Sequence, residues 1–190
     1  MNGTALTIIV IVGVILLLGL GIVAWIISTR NSFARMNVKI DEAESGIDVA
    51  LTKRYDTLTK MHQTVKNYVE HERKTLKEIV KMRNPRDCRT IAEKNAANAT
   101  MDAAERSLNV VMEQYPQLKA DALMVRLQDS VQEVEDNLAA SRRIYNSNVS
   151  IFNQKLKSFP SSIIGRNAGY TEREFFKAEE GKKRDVDLKM

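Results

Sequence analysis

Two histidines, one cysteine, a row of aspartates and a run of basic residues are the side chains of this 190-residue chain that could do chemistry. His62 and His71 stand nine residues apart and off a common helical face. Neither an HExxH motif nor a Glu-x-x-His pair of the di-iron type frames them. They read as solvated helix-surface residues, so no metal ligands and no cofactor are expected. Cys88 lies beside Arg86 and Arg89, neighbours that would lower its thiol pKa modestly. No histidine is close in sequence to activate it. A lone cysteine also excludes an intramolecular disulfide, fits a reducing compartment and offers no cysteine-based zinc site. GxSxG, P-loop and glycine-rich phosphate cradles are all missing. The pattern contains no catalytic residues, and no enzymatic activity is expected.

The charged residues suggest contacts instead of reactions. Asp41, Asp48 and Asp56 recur at seven and eight residues, on one helical face beside an apolar stripe. Such a row is either a solvated boundary or a set that meets Arg142, Arg143 or Lys53 across helices and fixes the register of a bundle. Residues 73–89 hold Arg73, Lys74, Lys77, Lys81, Arg83, Arg86 and Arg89 against Glu78 and Asp87. Seven cations less two anions equal the whole chain's net charge of +5. The run is interrupted by acid and has no aromatic residue between Tyr68 and Tyr115 on which a base could stack, which argues against nucleic acid. It is a solvated helix tip or a contact for an acidic protein or lipid surface.

Long helices must position these groups. From Phe33, apolar residues recur in steps of mostly three and four, through Ile40, Ile47, Leu51, Tyr55, Leu58, Met61 and Val65, to Val80. Three prolines, Pro85, Pro116 and Pro160, divide the chain. A first helix is expected to reach about residue 82. Asn84 then caps a second helix with Pro85 at its first position. That second helix carries Ala97, Met101, Ala104, Leu108, Val111 and Met112 on one face and ends at Tyr115-Pro116. A third begins near Asp121 and presents Met124, Val131, Val134, Leu138, Tyr145, Val149, Phe152 and Leu156 before Pro160. Residues 161–170 read as a glycine-punctuated loop. Thr171-x-x-Glu174 is a capping-box pattern that would open a short helix holding Phe175 and Phe176 and ending at Gly181. With Phe159, Ile163 and Ile164, these phenylalanines are candidates for docking the C-terminus into a groove. The simplest packing is an antiparallel bundle of three long helices plus the short C-terminal one.

Residues 5–27, ALTIIVIVGVILLLGLGIVAWII, contain no charge. A helix of that length spans roughly 35 Å against about 30 Å of hydrocarbon. The run is too long, and its N-terminus too free of basic residues, for a cleaved signal peptide. Lys and Arg flank only its C-terminal side, at Arg30, Arg35 and Lys39, which predicts a short N-terminus outside and a cytoplasmic C-terminal domain. The expected division is an anchor over 1–29, a bundle over 30–181 and a charged tail over 182–190. If anchor and first helix are one, Arg73–Arg89 would stand roughly 70–85 Å from the bilayer.

Several phrases recur together in a specific order. They are Asp41-Glu42-Ala43, Ile47-Asp48-Val49, Lys53-Arg54-Tyr55-Asp56, Thr64-Val65-Lys66 and His71-Glu72 in the first helix, then Tyr115-Pro116-Gln117-Leu118-Lys119-Ala120. Arg142-Arg143-Ile144-Tyr145-Asn146, Phe159-Pro160-Ser161-Ser162-Ile163-Ile164 and Phe175-Phe176-Lys177-Ala178-Glu179-Glu180 follow. After an N-terminal anchor, this order resembles the LemA family of bacterial membrane proteins over nearly the whole chain. The resemblance implies a single-pass inner-membrane protein with a helical-bundle domain and no established activity. It brings two partner classes to mind: the membrane itself, since some members are tied to magnetosome membrane formation, and a membrane protease, since the genes often neighbour one. Two departures stand out. Thr57-Leu58-Thr59-Lys60-Met61-His62 replaces an apolar, proline-containing phrase, which favours a straighter helix, and Arg166 and Asn167 dilute the stretch after Ile164. Taken together, the residues and the resemblance lead to a scaffold or interaction module, held by lipid through residues 5–27. Its long 3–4 stripe is also suited to self-assembly into a homo-oligomer. The alternative is an accessory protein of a membrane protease or envelope-stress system.

Overall fold

The computed structural model describes residues 3–68 and 82–177. Its elements are α1 (Gly3–Tyr68), a 3-10 turn at Pro85–Asp87, α2 (Ile91–Gln114), α3 (Pro116–Lys119), α4 (Ala122–Lys157) and α5 (Ser161–Asn167). The all-α architecture expected from the 3–4 periodicity is present, and the described residues contain no strand. α1 is continuous over 66 residues, so the apolar run and the first bundle helix are one element. With no proline and only Gly46 after the apolar run, nothing in the sequence interrupts its hydrogen-bond ladder. The part of its expected extension over residues 69–81 lies outside the described residues. The N-terminal part of α1 is long and apolar enough to cross a membrane.

The chain divides into two compact units. One joins α1 up to Ile40 with Asn148–Arg173; the other joins Asp41–Ser147 with the segment from Glu174. In the first, Phe33 meets Phe152 edge-on at 5.7 Å between ring centroids and stacks on Tyr170 at 5.5 Å. α5 closes over this cluster at Gly165, where an added Cβ would stand 2.6 Å from Leu156 Cδ1 and 2.9 Å from Phe33 Cζ. The residues expected to form a loop after Pro160 are therefore a helix, because the glycine acts as a packing surface and not as a breaker. The Ser161 hydroxyl donates to the carbonyls of Lys155 and Ser158, at 2.7 and 2.9 Å, and so satisfies the end of α4.

In the second unit most of the predicted stripe is core, except that Tyr55 is only half-buried. Ile47, Leu51, Leu58, Met61 and Val65 of α1 are buried, as are Ala97, Met101, Ala104 and Leu108 of α2 and Val134, Leu138 and Tyr145 of α4. α4 runs antiparallel to α1: Lys53 pairs with Glu133, and Gly46 faces Ser141. α2, in contrast, runs parallel to α1, since Lys94 meets Glu44 and Asp48 while Glu105, further along, meets Arg54. The sequence suggested short joints and antiparallel neighbours throughout. In sequence, 22 residues separate Tyr68 from Ile91, and 69–81 of them lie outside the described residues.

Helix starts follow side-chain capping. Asn84 does cap, accepting from the Arg86 N–H, with Pro85 next, but it caps only the 3-10 turn. α2 opens six residues later, behind a Thr90–Glu93 capping box. Asp121 caps α4 as expected, its Oδ1 accepting from the N–H groups of Leu123 and Met124 at 2.9 and 3.2 Å. The short helix expected to open at Thr171 and run to Gly181 does not start: residues 171–177 are non-helical, and the remainder of that range lies outside the described residues.

Candidate functional site

The most concentrated chemistry of the second unit lies between α1, α2 and α4. α1 buries a stripe through Ile47, Leu51 and Leu58, and the stripe position between Leu51 and Leu58 falls on Arg54, not Tyr55. Arg54 is 2 % exposed. A lone guanidinium there would be prohibitively desolvated, so its neighbours must supply acceptors. α2 presents Asn98, Asp102 and Glu105 on one face, and α4 presents Glu135. Arg54 Nη1 lies 2.5 Å from Asp102 Oδ1 and donates to Asn98 Oδ1 at 2.8 Å. Nη2 donates to Glu105 Oε2 at 2.7 Å, and Nε sits 2.6 Å from Glu135 Oε1 as a charge contact without hydrogen-bond alignment. Asn98 Nδ2 donates in turn to Asp102 Oδ2 at 3.2 Å. Burial alone would lower the Arg54 pKa; the carboxylates of Asp102 and Glu135, with the Glu105 hydrogen bond, raise it above its ordinary value.

Three carboxylate oxygens of Asp102, Glu105 and Glu135 lie within 4.8 Å of one another, a spacing that could hold a metal ion. Each instead contacts a different nitrogen of the Arg54 guanidinium, which fills the place an ion would take. The planar fork of arginine suits this task, since it offers donors in three directions at once. A cleft of about 290 Å³ opens on the network and is lined also by Arg106, Asn109 and Gln132.

A second buried cation marks the same seam. Lys94 Nζ lies 2.7 Å from Glu44 Oε1 and 2.6 Å from Asp48 Oδ1. Burial would lower its pKa, but hydrogen bonds to Asp48 and Glu44 raise it. Asp48 thus meets α2, and not Arg142 or Arg143 of α4. Asp56 pairs with Arg86 at 2.9 Å on the surface. Asp41 is exposed, and so is Arg143. Arg142 stands over the Phe176 ring, 5.5 Å from its centroid.

Of the basic stretch, Arg73, Lys74, Lys77 and Lys81 lie outside the described residues. Arg83 pairs with Glu93 at 3.0 Å, and the Arg89 N–H donates to Glu93 Oε2 at 2.8 Å. These backbone donors, first Arg89 and then Thr90, hold the Glu93 carboxyl below its usual range. The expected activation of Cys88 is reversed: the thiol is buried, and desolvation pushes its pKa up despite Arg83. His62 is half-buried with its pKa lowered, and His71 lies outside the described residues.

Of the docking candidates only Phe176 is buried; Phe159, Ile163 and Phe175 are exposed and Ile164 is half-buried. Phe176 is held by a side-chain clamp. Its N–H donates to Asn146 Oδ1 and its carbonyl accepts from Asn146 Nδ2, both at 2.9 Å. In the first unit Asn153 grips Arg173 in the same way, at 3.0 and 2.9 Å. Peptide groups satisfied by asparagine amides have no use for helical partners, which accounts for the missing C-terminal helix.

Sequence reasoning passed over Arg54, Lys94, Asn98, Asp102, Glu105 and Glu135. The signal was available: Lys94, Asn98, Asp102 and Glu105 step by four, four and three beside the apolar face of α2.

Comparison with known proteins agrees with the motif order. Protein LemA of Metamycoplasma hominis is 27 % identical over 163 residues, which cover 85 % of this chain and 74 % of that protein. The family model described as the LemA family matches residues 43–190, the greater part of the chain. On that match, the chain belongs to the LemA family.

Proposed function

We propose that this protein is a non-catalytic scaffold or interaction module anchored in the bacterial inner membrane by residues 5–27, with its bundle in the cytoplasm. The observation that carries the reading is the contrast along α1. Every large apolar side chain from Ile8 to Ile27 is exposed, whereas from Thr29 onward α1 has a buried face. A helix that is apolar all round in one part and amphipathic in the next is built for two solvents. Among the described residues, the densest group of titratable side chains supports a structural role, because its carboxylates are engaged by Arg54. Arg30, Arg35 and Lys39 just after the span favour a cytoplasmic bundle. Native pull-down from membranes with mass spectrometry tests the interaction role, and the mass of the detergent-solubilised protein tests self-assembly. Recovery of a membrane protease would move the reading to an adaptor of that enzyme. A clean monomer with no partner would count against a scaffold.

A further inference from the structure

The apolar surface of the first unit does not end with the α1 span. Of the chain's five phenylalanines, Phe33, Phe152 and Phe176 are buried, Phe175 is 47 % exposed, and Phe159, at the corner between α4 and α5, is the most open at 81 %. Ile163, four residues on, is also exposed. α4 approaches this corner antiparallel to α1. Asn148 Nδ2 donates to the Lys39 carbonyl at 3.1 Å, and Lys155 Nζ donates to Ser32 Oγ at 2.5 Å. Each helix advances seven residues between these contacts. Two more bring Lys157, the last residue of α4, level with Arg30, three residues past the end of the apolar run, and Phe159 follows in the turn beyond it. Among the described residues, Thr29 is the first buried one of α1, so protein packing begins where the span ends.

The corner is also cationic. Residues 28–35 and 155–166 contain Arg30, Arg35, Lys155, Lys157 and Arg166 and no acidic side chain, although Lys157 pairs with Glu172 at 2.9 Å and Lys155 lies over the Phe33 ring. Burial, followed by the Arg35 charge, lowers the Lys155 pKa. Exposed apolar side chains in a cation-rich corner, at the end of a helix that packs against α1 just past its membrane-length run, match the chemistry of an interfacial contact, where rings enter the headgroup layer and cations meet anionic lipid.

We propose that the α4–α5 corner is a second membrane contact, in which Phe159 and Ile163 enter the interface of the bilayer that α1 crosses. The proposal rests on the reading of α1 as a spanning helix. A single span can rotate about its own axis; a wedge on one side of it selects one rotation.

The chain has one tryptophan, Trp25, near the end of the span. The full chain is reconstituted into phosphatidylcholine vesicles containing phosphatidylglycerol and lipids brominated near the headgroup end of their acyl chains. Wild type reports the span through Trp25; the double variants Trp25→Phe/Phe159→Trp and Trp25→Phe/Ile163→Trp report the corner. Blue-shifted emission from the corner probes, quenched by brominated lipid and not by aqueous iodide, is the expected result. Quenching by iodide, with Trp25 of wild type quenched by lipid, overturns the corner contact and leaves the span. Shielding from both quenchers means that protein, such as a second copy, covers the corner, and also overturns it. If wild-type Trp25 escapes lipid quenching, the spanning helix fails and the inference fails with it.

Discussion

Arg54 decides how α1, α2 and α4 meet in the second unit, and its energetic role follows from what its loss would strand. Replacing a whole buried ion cluster with apolar residues is often neutral, but removing one partner leaves uncompensated buried charge, at a cost of about 3–5 kcal/mol. Arg54→Met takes from Asp102, Glu105 and Glu135 the guanidinium that each of them contacts. We expect it to lower the unfolding free energy by about that amount in urea titration. Arg54→Lys should recover little, since one ammonium cannot face three carboxylates that now each contact a separate nitrogen. Adding Asp102→Leu to Arg54→Met should restore part of the loss; a purely additive double variant would assign the cost to packing instead. His62 gives a pH prediction at the same scale. Burial, and then the Lys66 charge, lower its pKa below 6.5. As pH falls, the unfolded chain takes up a proton first, so this group costs stability from about pH 6.5 downward and nothing above. Melting curves between pH 7.5 and about 5 should show an acid loss that His62→Gln lacks. A wild-type profile parallel to that of the variant would refute it.

At the scale of elements, proline and periodicity found the long helices but misjudged their ends. Asp121 was legible because an acceptor before an apolar run is a local signal, and its two hydrogen bonds are local too. The start of α2 was misplaced because Asn84-Pro85 and Thr90-x-x-Glu93 are both valid starts, and tertiary packing assigns the first to a single turn. The last helix was misread for a different reason. Thr171-x-x-Glu174 is a sound local pattern, but Asn146 and Asn153 lie 20 to 30 residues away in sequence, and no local rule anticipates their hold on the backbone. Gly165 shows the same limit: as a letter it signals a break, and in space it permits contact. Gly165→Ala should therefore destabilise the protein, even though alanine is the better helix former, by about 1–3 kcal/mol. The Leu156 methyl is a movable tip, but the Phe33 ring is fixed by Phe152 and Tyr170. Thermal unfolding of the variant checks this, and a rise in Tm would show that the ring can move.

For the molecule as a whole, the decisive property is that the apolar run and the folded core share a helix but no side chains. Among the described residues of α1 before Thr29, none is buried, and Phe33 is the first large core side chain. Removing residues 1–27 therefore takes away no core contact. It shortens α1 at a point where the helix has its own hydrogen bonds and its neighbours have not yet joined. The loss is confined to fraying of a new first turn, a cost of tenths of a kcal/mol to about 1 kcal/mol. The shortened chain should appear in the soluble fraction with the circular dichroism of a helical protein. Its unfolding midpoint should lie within a few degrees of that of the full chain in detergent. The full chain should stay with membranes through carbonate extraction, since covering about twenty exposed apolar residues outweighs any surface charge effect. Two outcomes would overturn this division of labour. Loss of helicity on truncation would show that the run supports the fold, and release of the full chain by carbonate would show that it does not hold the protein in lipid.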